Sequence, residues 1–133
     1  MIKNKCINLS DFIGRLLLGG FFAYAGIGKI LGFSSTAGWM ESMGLPIASF
    51  LLVLVIILEL FGGMALILGI KVRFFSALLA GFVVIATFIF HSPFDPSQIL
   101  YFNKNMMITG GLLILAANTP KNFSLSKLNK YLE

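Results

Sequence analysis

Charge is scarce in this sequence. Only 11% of its 133 residues are Asp, Glu, Lys or Arg, whereas a soluble domain covers its surface with roughly a quarter. With so few charges the outer surface must be largely apolar, and lipid is the natural solvent for it. Bases outnumber acids, ten to five, yet they do not gather on one polar segment, so nucleic acid is not an expected partner. Cysteine is nearly missing. Cys6, in the N-terminal segment, is the only one, which excludes an intrachain disulfide, a dithiol relay or a thiolate metal cluster. A single histidine, His91, cannot supply paired imidazoles to a haem, and no acid-rich cluster is available for iron or copper. No metal is expected. Nucleotide-binding patterns, G-x-x-x-x-G-K-[ST] or a G-x-G-x-x-G after a strand, do not occur either.

What the chain has instead is long apolar runs. Hydrophobic residues make up 58%, and the mean hydropathy is +0.95. The length suits one domain, residues 1–133. A first run covers residues 12–31, interrupted only by Arg15 and Lys29; a second covers 46–70, interrupted only by Glu59. The third, 74–90, carries no charge and stops at His91. Residues 106–117 alone are too short to cross about 30 Å of hydrocarbon at 1.5 Å per residue. Extending this run back to residue 99 gives a span that draws in Asn103, Lys104 and Asn105. The expected fold is all-α: an integral membrane bundle of four transmembrane helices.

Orientation follows from the basic residues of short connections. Lys3 and Lys5 precede the first span, Lys71 and Arg73 lie between the second and third, and Lys121, Lys127 and Lys130 follow the fourth. In a four-span chain all three segments fall on one side, which places both termini in the cytoplasm. Lys3, Lys5 and the triplet Ala23-Tyr24-Ala25 resemble a cleavable secretory signal, but Arg15 inside the apolar stretch argues against one.

The longer outer connection, residues 32–45, contains Ser34, Ser35 and Thr36 ahead of a mixed apolar and polar turn with Trp39. This predicts a short interfacial helix with a hydroxyl cap and with the indole at headgroup level. Gly44-Leu45-Pro46 then ends that turn, with Pro46 in the first turn of the second span.

Charges inside the spans carry the functional argument. Each costs about 2.5–3.5 kcal/mol at a helix centre, so each needs a partner or a purpose. Glu59 falls near the middle of the second span. Arg15, Gly19, Phe22, Gly26 and Lys29 recur at helical spacing and line one face of the first span. Gly62 and Gly63 follow Glu59 at i+3 and i+4 on its own face, and glycine allows close helix approach. The simplest packing sets these two stripes together. Arg15 and Lys29 lie at comparable depths on either side of Glu59, and either could pair with it. Lys104, Asn105 and His91 add polar groups near the outer level of Lys29. The alternative for Arg15 and Lys29 is that they snorkel to the membrane surfaces.

The order of these residues resembles the DoxX family of bacterial membrane proteins. The resemblance rests on Arg15-x3-Gly19, Gly26-x-Gly28-Lys29, Gly44-Leu45-Pro46, Glu59-Leu60-Phe61-Gly62-Gly63 with Gly69, Phe90-His91, and Lys104-Asn105 before Gly110-Gly111-Leu112-Leu113. It implies a multi-pass protein of the bacterial inner membrane. It also implies an association with quinone-linked oxidation, since some members are reported in oxidoreductase complexes; it supplies no agreed catalytic residues.

The expected function is an accessory subunit of a quinone-linked redox membrane complex. The polar intramembrane cluster of Arg15, Lys29, Glu59, His91, Lys104 and Asn105 would form its ligand site, and Gly19, Gly26, Gly62 and Gly63 would pack the helices. No intrinsic cofactor is expected, but a bound quinone is. Expected partners are membrane lipids, other membrane or redox subunits, or a second copy of the chain. Whether the chain is itself an enzyme stays open. The alternatives are a structural or chaperone-like membrane protein, in which the cluster only specifies packing, and a small transporter.

Overall fold

The computed structural model describes residues 2–118; Lys121, Lys127 and Lys130 lie outside the described residues. The helices are α1 (Ile2–Leu31), α2 (Phe33–Ser42), α3 (Ala48–Leu68), α4 (Val72–Phe90) and α5 (Ile99–Ala117). Four of them, all but α2, are long and apolar enough to cross a membrane. Their order in the bundle is up, down, up, down, with α1 antiparallel to α3 and α4 antiparallel to α5.

The helix ends differ from the runs of apolar residues in instructive ways. α1 begins at Ile2, some ten residues before its apolar run, because nothing in the polar segment breaks a helix. Pro46 lies outside α3 rather than in its first turn. Ile47 adopts a left-handed conformation (φ 46°) and acts as N-cap, its carbonyl accepting from the Leu51 amide at 3.1 Å. Helical geometry can start only after that residue. At the other end Gly69, also left-handed at φ 74°, closes α3. Two residues on, Lys71 (φ 43°) starts α4, giving a connection short enough to force an antiparallel pair.

α2 is the expected short helix between the first two spans, but its cap is not a hydroxyl. Gly32 is the N-cap and no side chain caps it; the Ser35 hydroxyl instead donates to the Gly32 carbonyl at 3.0 Å. A serine already inside the first turn has its preceding carbonyl nearer than any free amide. Between α4 and α5, Asp95 accepts from the Ser97 amide and hydroxyl at 2.9 and 2.8 Å. Those bonds hold its carboxyl below the usual aspartate range.

In lipid no hydrophobic force drives one helix onto another, so close packing must do so. A Cβ on Gly19 would fall 2.4 Å from the Gly63 carbonyl oxygen, and one on Gly63 would fall 2.6 Å from that of Gly19. The α1 and α3 backbones therefore touch at this crossing. A Cβ on Gly26 would sit 2.9 Å from Leu60, extending the contact up the same seam. Gly62 faces the other way, toward Leu79 of α4 at 3.1 Å, because one residue turns the helix surface by about 100°. The Glu59-Gly62-Gly63 stripe thus serves two neighbours, where a single one was expected. Buried apolar side chains form two clusters. One joins Phe22, Leu66, Val72, Leu79 and Leu112 across the four long helices. The other packs Ala37 and Met40 of α2 on Ala48, Leu52 and Ile56 of α3.

Candidate functional site

Between these two clusters lies a cavity of about 220 Å³, and Glu59 is on its wall. The α1–α3 seam explains why Lys29 is its partner. Side chains on a helix lean toward its N-terminus, so Lys29 reaches back down α1 to the level of Glu59. Its ammonium donates to both carboxylate oxygens, at 3.1 and 3.2 Å. Glu59 is 4% exposed, while the lysine side chain keeps 29% of its surface open. The lysine thus points inward to a buried acid and does not snorkel.

Arg15 serves the opposite end of the same seam. It is fully buried, with its Nη1 donating to the Leu66 and Ile67 carbonyls at 3.0 and 3.3 Å. These belong to the last turn of α3, where carbonyls lack helical partners and the helix dipole is negative. Its Nε donates to Asp11 at 3.0 Å, one turn back along α1. Arg15 is therefore a helix cap and, like Lys29, does not snorkel; Leu66 is two turns from Glu59, about 10 Å along α3.

The remaining cavity wall comes from three further helices. Thr36 and Trp39 of α2, Phe90 and His91 at the end of α4, and Asn105 of α5 all line it. Trp39 stacks on Phe90 with centroids 4.5 Å apart. The His91 Nδ1 lies 2.7 Å from the Gln98 side-chain oxygen, and its ring stacks on Tyr101 at 5.3 Å. Lys104 is on the outside, its ammonium 5.3 Å from the centre of the Tyr101 ring. The predicted polar cluster thus divides in three. Lys29, Glu59, His91 and Asn105 share the cavity; Arg15 and Lys104 each lie elsewhere.

The sequence reading missed Thr36 and Phe90 as lining residues, and Trp39 as more than an interfacial anchor. No spacing connects α2 to the end of α4, so that stack has no signal along the chain. Asp11 did have one, at i−4 from Arg15. Chemically, the cavity offers an acceptor and a donor held as a pair, an imidazole braced by an amide, and aromatic faces.

The DoxX family profile matches residues 10–92, which includes Arg15, Lys29, Glu59 and His91. The chain is 41% identical to inner membrane protein YqjF of Escherichia coli K12 over 93% of its own length and 95% of that protein's. It is 26% identical to inner membrane protein YphA of the same organism, covering 86% of each. No solved structure gives a significant match. With a family match across most of the bundle and a relative of this similarity along nearly the whole chain, the protein belongs to the DoxX family and is an integral protein of the inner membrane.

Proposed function

We propose that the cavity binds the head of a quinone-type ligand, and that the protein is an accessory subunit of a quinone-linked redox complex with both termini in the cytoplasm. The observation that carries this reading is the buried Glu59–Lys29 pair opening onto an aromatic-walled cavity. The pair cancels its own charge, which favours an uncharged head with hydrogen-bonding oxygens over a charged one. A volume of about 220 Å³ is below the roughly 300–1,000 Å³ of drug-sized sites and suits one substituted ring. The stacked Trp39–Phe90 pair would give that ring one aromatic wall to lie against, with His91 and the ion pair serving its oxygens. In this role the chain binds and orients the ligand and exchanges protons with it, and electrons come from a partner.

The test is mass spectrometry of organic extracts from protein purified in mild detergent, beside Glu59→Gln and His91→Ala. A stoichiometric quinone that is lost in both variants is the expected result. Its absence from all three, or undiminished binding in the variants, would refute the proposal.

A structural reading is favoured by one observation: the ion pair sits beside the close Gly26–Leu60 contact, where it would fix the register of α1 on α3. On that reading Glu59→Gln lowers the melting temperature, and extracts from wild type and variant contain the same bulk phospholipid.

A further inference from the structure

The head cavity does not stop at its polar wall. Met40, Val55, Phe82, Ala86 and Phe90 line it and also line a second hollow of about 290 Å³ on the α3–α4 seam. That hollow is walled by apolar side chains alone, including Leu54, Ile85 and Ile89, which are exposed on the outside of the bundle. It shares Leu58, Phe82 and Ile85 with a third hollow that reaches Ala77, Leu78 and Gly81 further down α4. A Cβ on Gly81 would meet nothing within 4 Å, so the groove is open there. From Phe90 to Leu78 the three hollows follow one another along about 18 Å of α4 at 1.5 Å per residue. The row starts at a polar cavity, runs within the membrane-spanning part of α4, and ends on the lipid-facing surface.

We infer that this groove holds the hydrocarbon tail of the same ligand, so that the ligand is a single-tailed amphiphile entering sideways from the bilayer between α3 and α4. The inference rests on the head-group reading above and adds the tail. Three features select this occupant. The groove adjoins the head cavity, the two sharing five side chains. Its walls have the chemistry of a hydrocarbon chain and nothing else. The head cavity is sized for one ring with one chain, where a diacyl phospholipid would bring a charged headgroup to a wall whose charges already cancel.

The experiment uses the full-length protein in nanodiscs of phosphatidylethanolamine and phosphatidylglycerol. The probe is a benzoquinone whose isoprenoid tail carries a photoreactive diazirine. Trp39, the only tryptophan, reports the head through quenching of its fluorescence, and mass spectrometry maps where the tail cross-links. The expected result is saturable quenching together with cross-links at Leu54, Ile85, Ile89 and Leu78, all lost with excess unlabelled tailed quinone. Gly81→Phe, which fills the lower groove from an open position, should lose the Leu78 cross-link. Saturable quenching with cross-links scattered over lipid-facing residues such as Leu17 and Ile114 overturns the tail groove and leaves the head site standing. So does a Leu78 cross-link that survives in Gly81→Phe. No saturable quenching overturns the head site and the groove with it.

Discussion

Arg15 shows how an intramembrane charge can be occupied by backbone carbonyls and a neighbouring carboxylate together. Its guanidinium spans two carbonyls of α3 and one carboxylate of α1, a set of directions that a single ammonium does not reproduce. Arg15→Met should destabilise the protein by about 3–5 kcal/mol, since it removes the buried charge that caps the α3 terminus and bonds Asp11, and Arg15→Lys should recover little of it. Thermal melting in detergent is the measurement. The Lys29–Glu59 pair calls for a double-mutant cycle. Lys29→Met alone strands a buried acid and should be more damaging than Lys29→Met combined with Glu59→Gln, as read by the same melting curves. Ile47 makes the opposite prediction. A β-branched residue held left-handed costs about 1–2 kcal/mol, and the Ile47 side chain is 67% exposed, so Ile47→Gly should raise the melting temperature. At this scale much was legible along the chain: which positions bear intramembrane charge, and that Glu59 needs a cation. The choice of Lys29 was not, because depth alone placed Arg15 and Lys29 alike; the lean of helical side chains and the carbonyls at the end of α3 separate them.

Among the helices, the α1–α3 seam is the tightest, and its glycines differ sharply from their neighbours. Gly19→Ala must push the α3 backbone away and should cost about 1–3 kcal/mol by overpacking. Gly20→Ala meets nothing within 4 Å and should be neutral or slightly stabilising, because alanine is the better helix former. Comparing their melting temperatures tests the seam directly. The spans and the short α2 could be read from apolar length and from the polar interval between them. Their ends could not. Ile47 and Lys71 take left-handed conformations that nothing in their side chains favours, and they do so because the chain must reverse there. The two-sided use of Gly62 and Gly63 was hidden for a related reason: helical periodicity gives the angle between two residues, but not which neighbour occupies each face.

For the whole molecule, the antiparallel order puts the start of α1 and the α3–α4 turn at one end, and the cavity nearer the other. The basic residues at that first end predict that Cys6, which is exposed, lies in the cytoplasm. A membrane-impermeant maleimide should leave it unlabelled in intact cells and label it after permeabilisation; labelling of intact cells would reverse the topology. Span count was legible because the bilayer sets a length that apolar runs must meet. The cavity was not, since it depends on how five helices stand side by side, and Trp39 reaches Phe90 across 51 residues of sequence. One consequence of the Lys29–Glu59 contact concerns the energised membrane. A lone charge crossing the bilayer feels about 2.3 kcal/mol per 100 mV. Two opposite charges 3.1 Å apart experience nearly equal and opposing forces, so the site stands in the transmembrane field with almost no net response to voltage. A proton delivered to Glu59 would end that cancellation and leave the lysine charge alone in the field, so protonation of the site, unlike entry of an uncharged head, is a step that feels the membrane potential.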